Sequence, residues 1–182
     1  MQMARGGDLD AVLKSMFGTR GETRRINTAS TLGQPAYDSV GLGSQFATAI
    51  NDMRFFLDIR NCYAHSLWHD ANAGYLAFVN LEELATTSTI VTDLMGLTIK
   101  YLDMPILTAQ EDYLDFVDHS IQYLNYEGRL RRGDLSSNPV PAPAARARPP
   151  LWAITRYGPY RGPCLEILDF RNMASRPSAL IG

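Results

Sequence analysis

Residues Phe55–Asp70 read FFLDIRNCYAHSLWHD, and this stretch sets the fold of the whole chain. Leading into it, Phe46, Ile50, Met53, Leu57, Arg60 and Ala64 recur at steps of four, three, four, three and four. Ala49, Phe56 and Tyr63 widen the stripe. Such spacing predicts an amphipathic helix from Gln45 to about Ala64, with Ser44 as its N-cap. Arg60 is the only charged member of the stripe so read. A buried guanidinium is costly unless paired. Arg60 therefore calls for a carboxylate such as Glu82 or Glu83, a phosphate ligand, or a route along its stem to solvent.

Upstream, Asp8 or Asp10 can cap a short helix, Leu9–Phe17. Residues Gly18–Gly43 are rich in Gly, Thr and Ser and contain Pro35, so they read as a loop with one turn of helix near Ala36–Val40. Downstream, Gly74–Asn80 (GYLAFVN) reads as a short extended segment. Asn80 can cap a following helix, about Leu81–Leu102, with Glu82 and Glu83 in its first turn. Pro105 breaks the chain, and Thr108 with Glu111 forms a capping box for a helix to about Tyr126. The fold class predicted is all-α: a small helical bundle with a short extended insert and a Pro/Arg-rich tail.

The 182 residues suffice for one domain with a real core. Three parts are expected: a helical domain over 1–128, a Pro/Ala/Arg-rich linker over 129–150, and a C-terminal extension over 151–182 in which Leu165–Phe170 can add a strand. Hydrophobic residues make up 46% and charged residues 20%, a globular balance that excludes a disordered chain. No apolar run approaches the roughly 18 residues of a membrane span. Two cysteines, Cys62 and Cys164, are too few for a disulfide framework; with no signal peptide, the chain reads as cytoplasmic. The net charge of −2 hides an asymmetry. Residues 1–128 hold 8 Lys/Arg against 16 Asp/Glu, whereas residues 129–182 hold 9 Arg against 3 acids. The basic tail, with Arg129, Arg131, Arg132, Arg146 and Arg148, can bind RNA phosphates or lie back on the acidic body.

Arg60, Asn61 and His65 together suit phosphodiester chemistry. Histidine titrates near neutrality and can take a proton from a ribose 2′-hydroxyl. Arginine holds phosphate oxygens in a fixed fork and stabilises charge as it develops. Asn61 can orient either partner. Arg60 and His65 stand roughly 140 degrees apart on an ideal helix. They serve one site if the helix ends between them, or if a twofold homodimer packs two such helices together. For each residue a structural role is the alternative: an ion pair for Arg60, a solvent-side amide for Asn61, a helix-end histidine for His65. His69 and Asp70 offer a second base or a ligand pair, too few for a zinc site. His119 reads as a surface or half-buried residue. Neither metal nor cofactor is expected, and there is no phosphate-binding glycine loop.

The string RNCYAH, Arg60–His65, resembles the Arg-x4–6-His motif of the HEPN superfamily, in its usual setting at the end of a long helix in a small bundle. The resemblance implies a homodimer and a metal-independent RNase, in some members a toxin with an antitoxin partner or an antiviral component. It carries over Arg60, Asn61 and His65 as catalytic residues. HEPN toxins silenced by nucleotidyl transfer carry Tyr two residues after the His; here that position is Leu67. The longer pattern, IRNCYAHS followed by an aromatic segment and LEE, is also similar to the mannitol-operon repressor family. That likeness implies a non-catalytic transcriptional regulator or protein-interaction module.

Overall fold

Among the described residues, five helices and four strands follow one another. The computed structural model describes residues 9–18, 20–71, 74–87 and 98–157. The order is α1 (Leu9–Phe17), α2 (Glu22–Asp38), α3 (Gly43–Ala64), β1 (Ser66–Asp70), β2 (Tyr75–Asn80), α4 (Leu81–Thr87), β3 (Thr98–Asp103), α5 (Met104–Arg131) and β4 (Ile154–Tyr157). Two units result. The first comprises residues 1–62 and 108–149; the second comprises 63–107 and 150–182.

The expected all-α bundle is therefore corrected: the protein is mixed, with a four-stranded antiparallel sheet in the order β1-β2-β3-β4. The short extended insert is one strand of that sheet. A second comes from the C-terminal side of the histidine motif and a third from the expected end of the Leu81–Leu102 helix. Residues 98–103 carry Thr98, Ile99 and Tyr101, β-branched and aromatic side chains that suit a pleated, half-buried surface better than a helix, whereas in 66–70 only Trp68 is of this kind. The expected boundary at residue 128 is not a boundary between units, since residues 129–149 belong with the helices of the first. Leu165–Phe170 lies outside the described residues; the fourth strand of the sheet is Ile154–Tyr157.

In the first unit, α2 replaces most of the expected loop. Its buried residues are Ile26, Gly33 and Tyr37, spaced seven and four apart, so they share one face of the helix. Packing overrides weak propensity here. Gly33 admits the Phe46 ring of α3: a Cβ at that position would lie 2.5 Å from the ring edge. Phe46 in turn stacks on Tyr37, with centroids 4.2 Å apart. Leu42, Ala49 and Leu124 complete this core cluster. α2 closes with Leu42 N–H bonding to Tyr37 O and Gly41 N–H to Asp38 O, the paired bonds of a Schellman end. Gly41 sits at φ +69°, which suits the left-handed position this end requires. α5 closes the same way at Gly133 (φ +81°), through Asp134 N–H to Arg129 O and Gly133 N–H to Leu130 O.

α5 begins four residues before the expected capping box. Asp103 Oδ1 accepts the Ile106 N–H at 3.0 Å and so caps the helix. Pro105 falls in the first turn, where its missing N–H costs nothing.

In the second unit, the sheet rows follow from the register. Leu67, Val79 and their neighbours lie on one face, where Ala77, Val79, Ile99 and Tyr101 form a buried cluster with Leu84 packed against it. The other face carries Trp68, Phe78 and Lys100 in one row. Tyr63 sets its ring edge against both Trp68 and Phe78. Lys100 is buried, ion-paired with Glu83, and lies 4.0 Å from the Trp152 ring centre. Asn80 caps α4 as the sequence predicts, its Oδ1 accepting the Glu83 N–H at 2.9 Å.

Candidate functional site

Arg60 does not point into the core. Ile59 does, at 2% exposure, while the Arg60 side chain is 55% exposed. The fully buried residues of α3 are Gly43, Ala49, Ile50, Asp52 and Ile59, so Ile50 of the expected stripe is buried, while near the C-terminal end Ile59 takes the place expected of Arg60. Phe46, Met53 and Leu57 form the half-buried flank of the helix. The buried charge on this helix is thus Asp52, not Arg60.

Arg60 Nη1 lies 3.4 Å from Glu22 Oε2 and donates to Asn61 Oδ1 at 3.0 Å. Its partner is the Glu22 of α2, not Glu82 or Glu83. The pairing follows from the antiparallel course of the two helices: Glu22 meets Arg60, Asn27 accepts from Arg54 at 3.1 Å, and Gly33 meets Phe46. Both members of the Glu22–Arg60 pair are about half exposed, so the attraction is screened and worth under ~1 kcal/mol. A single nitrogen serves both contacts. The other guanidinium donors have no protein partner among the described residues, and a phosphate can take them in a bidentate fork.

His65 follows the last residue of α3, in the turn before β1. It belongs to the second unit, and Arg60 and Asn61 belong to the first. Its Nδ1 lies 2.5 Å from Glu82 Oε1, with both side chains exposed. A carboxylate at Nδ1 fixes the ring and leaves Nε2 as the nitrogen able to receive a proton. The sequence places Glu82 in the first turn of a helix and offers it, with Glu83, as one possible partner for Arg60, but does not announce this pairing with His65. The signal was the register. Ser66 pairs with Asn80, and one step further Leu81 N–H bonds to His65 O at 2.8 Å. The Asn80 cap then turns residue 82 beside residue 65.

His69 lies on β1 opposite Ala77, in the row that includes Tyr101. Its Nε2 is buried without a hydrogen-bond partner among the described residues. Among those residues no group of three or more His, Cys, Asp and Glu side chains could hold a metal ion. His119 is half-buried, with Nε2 at 2.9 Å from Pro141 O. Cys62 is in no disulfide among the described residues.

The tail arginines are engaged within the first unit. Arg148 donates to Asp52, and its guanidinium lies 5.0 Å from the Phe55 ring centre. Arg146 pairs with Asp112 at 2.9 Å, Arg132 with Asp134 at 2.8 Å, and Arg131 with Glu127 at 2.9 Å. Arg131 also donates to the carbonyls of Val40 and Gly41, and Arg129 lies over Tyr126. Arg129 and Arg131 thus belong to the last turn of α5 and Arg132 pairs just beyond it, while Arg146 and Arg148 lie back on acidic residues of the helices.

Among the described residues no helix is long and apolar enough to cross a membrane. No family model, no curated protein and no solved structure matches this chain.

Proposed function

We propose that the protein is a metal-independent endoribonuclease of HEPN type. The observation that carries this reading is the exposure of Arg60: at the motif position the guanidinium stands in solvent, with donors left for a phosphate, rather than locked into the core. Arg60 clamps the phosphate and Asn61 orients it. His65 Nε2 takes the proton of a ribose 2′-hydroxyl. The 2′-oxygen bonds to phosphorus, the bond from phosphorus to the 5′-oxygen breaks, and the leaving oxygen takes up a proton. The products carry 2′,3′-cyclic phosphate and 5′-hydroxyl ends. The reading includes a cytoplasmic homodimer with RNA as substrate, a toxin or defence setting, and an antitoxin or regulatory protein as partner. Neither metal nor cofactor takes part.

A second reading, a non-catalytic regulator similar to mannitol-operon repressors, is favoured by one observation. Arg60, Asn61 and His65 each have a partner within the chain, as residues kept for folding would. Incubating a broad RNA panel with purified wild type and His65→Ala in EDTA separates the two. Cleavage by wild type and none by the variant supports the nuclease. No cleavage by either leaves the regulator as the better account.

A further inference from the structure

We infer that Glu82 is the positioning residue for His65: it holds the proton on Nδ1 and so makes Nε2 the base. This inference rests on the nuclease reading above. The geometry builds the pair from the backbone. The antiparallel register of β1 and β2 ends at Ser66 and Asn80, and Leu81 N–H closes onto His65 O at 2.8 Å. Asn80 Oδ1 caps Glu83 N–H, which fixes the first turn of α4 and the direction in which residue 82 leaves it. The carboxylate then reaches His65 Nδ1 at 2.5 Å. Its neighbour Glu83 cannot serve instead, because it is held by the buried Lys100 on the sheet.

A neutral imidazole carries one proton and can carry it on either nitrogen. With the proton on Nε2, the nitrogen facing solvent is a donor and cannot abstract a proton. A carboxylate accepting from Nδ1–H selects the other tautomer, and it also stabilises the imidazolium formed when Nε2 takes the 2′-hydroxyl proton. Glu82 touches neither phosphate nor ribose in this scheme; it acts through His65.

The test uses the full chain, with nitrogen-15 spectra of the histidine rings at alkaline pH alongside RNA cleavage. In wild type, His65 is expected as the Nδ1–H tautomer. Glu82→Ala shifts it towards Nε2–H. Glu82→Gln, whose amide oxygen still accepts from Nδ1–H, retains it. Cleavage follows the same order: Glu82→Ala lowers kcat at least about 10-fold, within the roughly 10²–10⁴-fold that a general base supplies, with KM within about twofold. Glu82→Gln recovers part of the loss. An Nε2–H tautomer in wild type, or wild-type kcat in Glu82→Ala, would overturn the role of Glu82. An Nδ1–H tautomer that depends on Glu82, in a protein that cleaves no RNA, would overturn the nuclease reading and leave the orientation of His65 standing.

Discussion

Arg148 donates two hydrogen bonds, from Nε at 3.1 Å and Nη2 at 2.8 Å, to one carboxylate oxygen of Asp52. The two residues are 96 apart in the chain, and Asp52 is 8% exposed in the middle of α3. Tyr113 bonds to both; burial first, and then its bond to Asp52, raises its hydroxyl above the ordinary tyrosine value. The contact with Asp52 likewise holds the Arg148 guanidinium above its usual range. Among the described residues, the cation that neutralises the buried Asp52 is Arg148 of the tail.

Removing that partner leaves the carboxylate buried and uncompensated. Arg148→Ala is expected to lose roughly 1.5–3 kcal/mol of unfolding free energy, the range for hydrogen bonds to charged groups. The upper figures for fully buried pairs do not apply, because the arginine is about half exposed. Asp52→Leu combined with Arg148→Met should recover much of the loss, since no charge is then left in the interior. Urea unfolding measures both. An Arg148→Ala variant as stable as wild type would mean that the tail is not latched in solution.

Gly33 and Phe46 give a second, independent test of the same unit. Gly33→Ala improves helix propensity by about 1 kcal/mol, yet it places a methyl group 2.5 Å from the Phe46 ring. Overpacking of that kind costs about 1–3 kcal/mol, so a net loss of stability is expected. Pairing the change with Phe46→Leu should remove most of the conflict. If the double variant loses the full sum of the two single losses, the ring does not sit against α2.

The sequence shows α3 plainly, and Ile50 of its stripe is buried, but near the C-terminal end the buried position is Ile59 and not Arg60. The stripe is wide, with Ala49, Phe56 and Tyr63 broadening the line through Phe46, Ile50, Met53 and Leu57, and periodicity alone does not say which positions within it are fully buried. Asp52 hides its own burial, since nothing near it in sequence announces Arg148 as its partner. α2 was hidden for a different reason. Its Thr, Ser, Gly and Pro content is that of a loop, and the three buried positions that hold it are too sparse to form a pattern. Gly33 reads as a breaker in sequence and proves to be a packing requirement against Phe46. The strand TIKYLD, residues 98–103, was absorbed into a neighbouring helix because its alternation is short and both faces are largely covered. Among the caps, Ser44 and Thr108 fall inside α3 and α5, but Asn80 was legible because an Asx residue before a helix has a local mechanism. The pairing of His65 with Glu82 was not, because it depends on a hairpin register that the sequence does not print.

Glu127 carries the pH dependence of the α5 terminus. Its bond from Arg131 first, and from Asn138 second, holds its carboxyl below the ordinary carboxylate value. A carboxylate depressed by folding contributes stability above its unfolded pKa, and that contribution is lost as pH falls through the lower folded value. Glu127→Gln should therefore lower the melting temperature at pH 7, and the gap from wild type should close as the solution is acidified through the carboxylate range. A gap that stays constant down to strongly acidic pH would show that the charge on Glu127 is not what the variant removed.

Arg60 separates folding from chemistry most directly. Its partner Glu22 is half exposed, and so is Arg60 itself, so the loss of the pair leaves a carboxylate that water can solvate. Exposed pairs of this kind contribute about 0–1 kcal/mol. Arg60→Ala should therefore keep the fold, with a melting temperature within a few degrees of wild type. On the nuclease reading the same change removes the group that neutralises the phosphorane charge, and RNA cleavage falls by at least about 10², the usual cost of deleting one preorganised electrostatic contact. Glu22→Ala is the informative companion. It frees the guanidinium without altering it, so cleavage should persist or rise. If both variants lose activity in parallel with their stability, Arg60 serves the packing of α2 against α3 and not the phosphate.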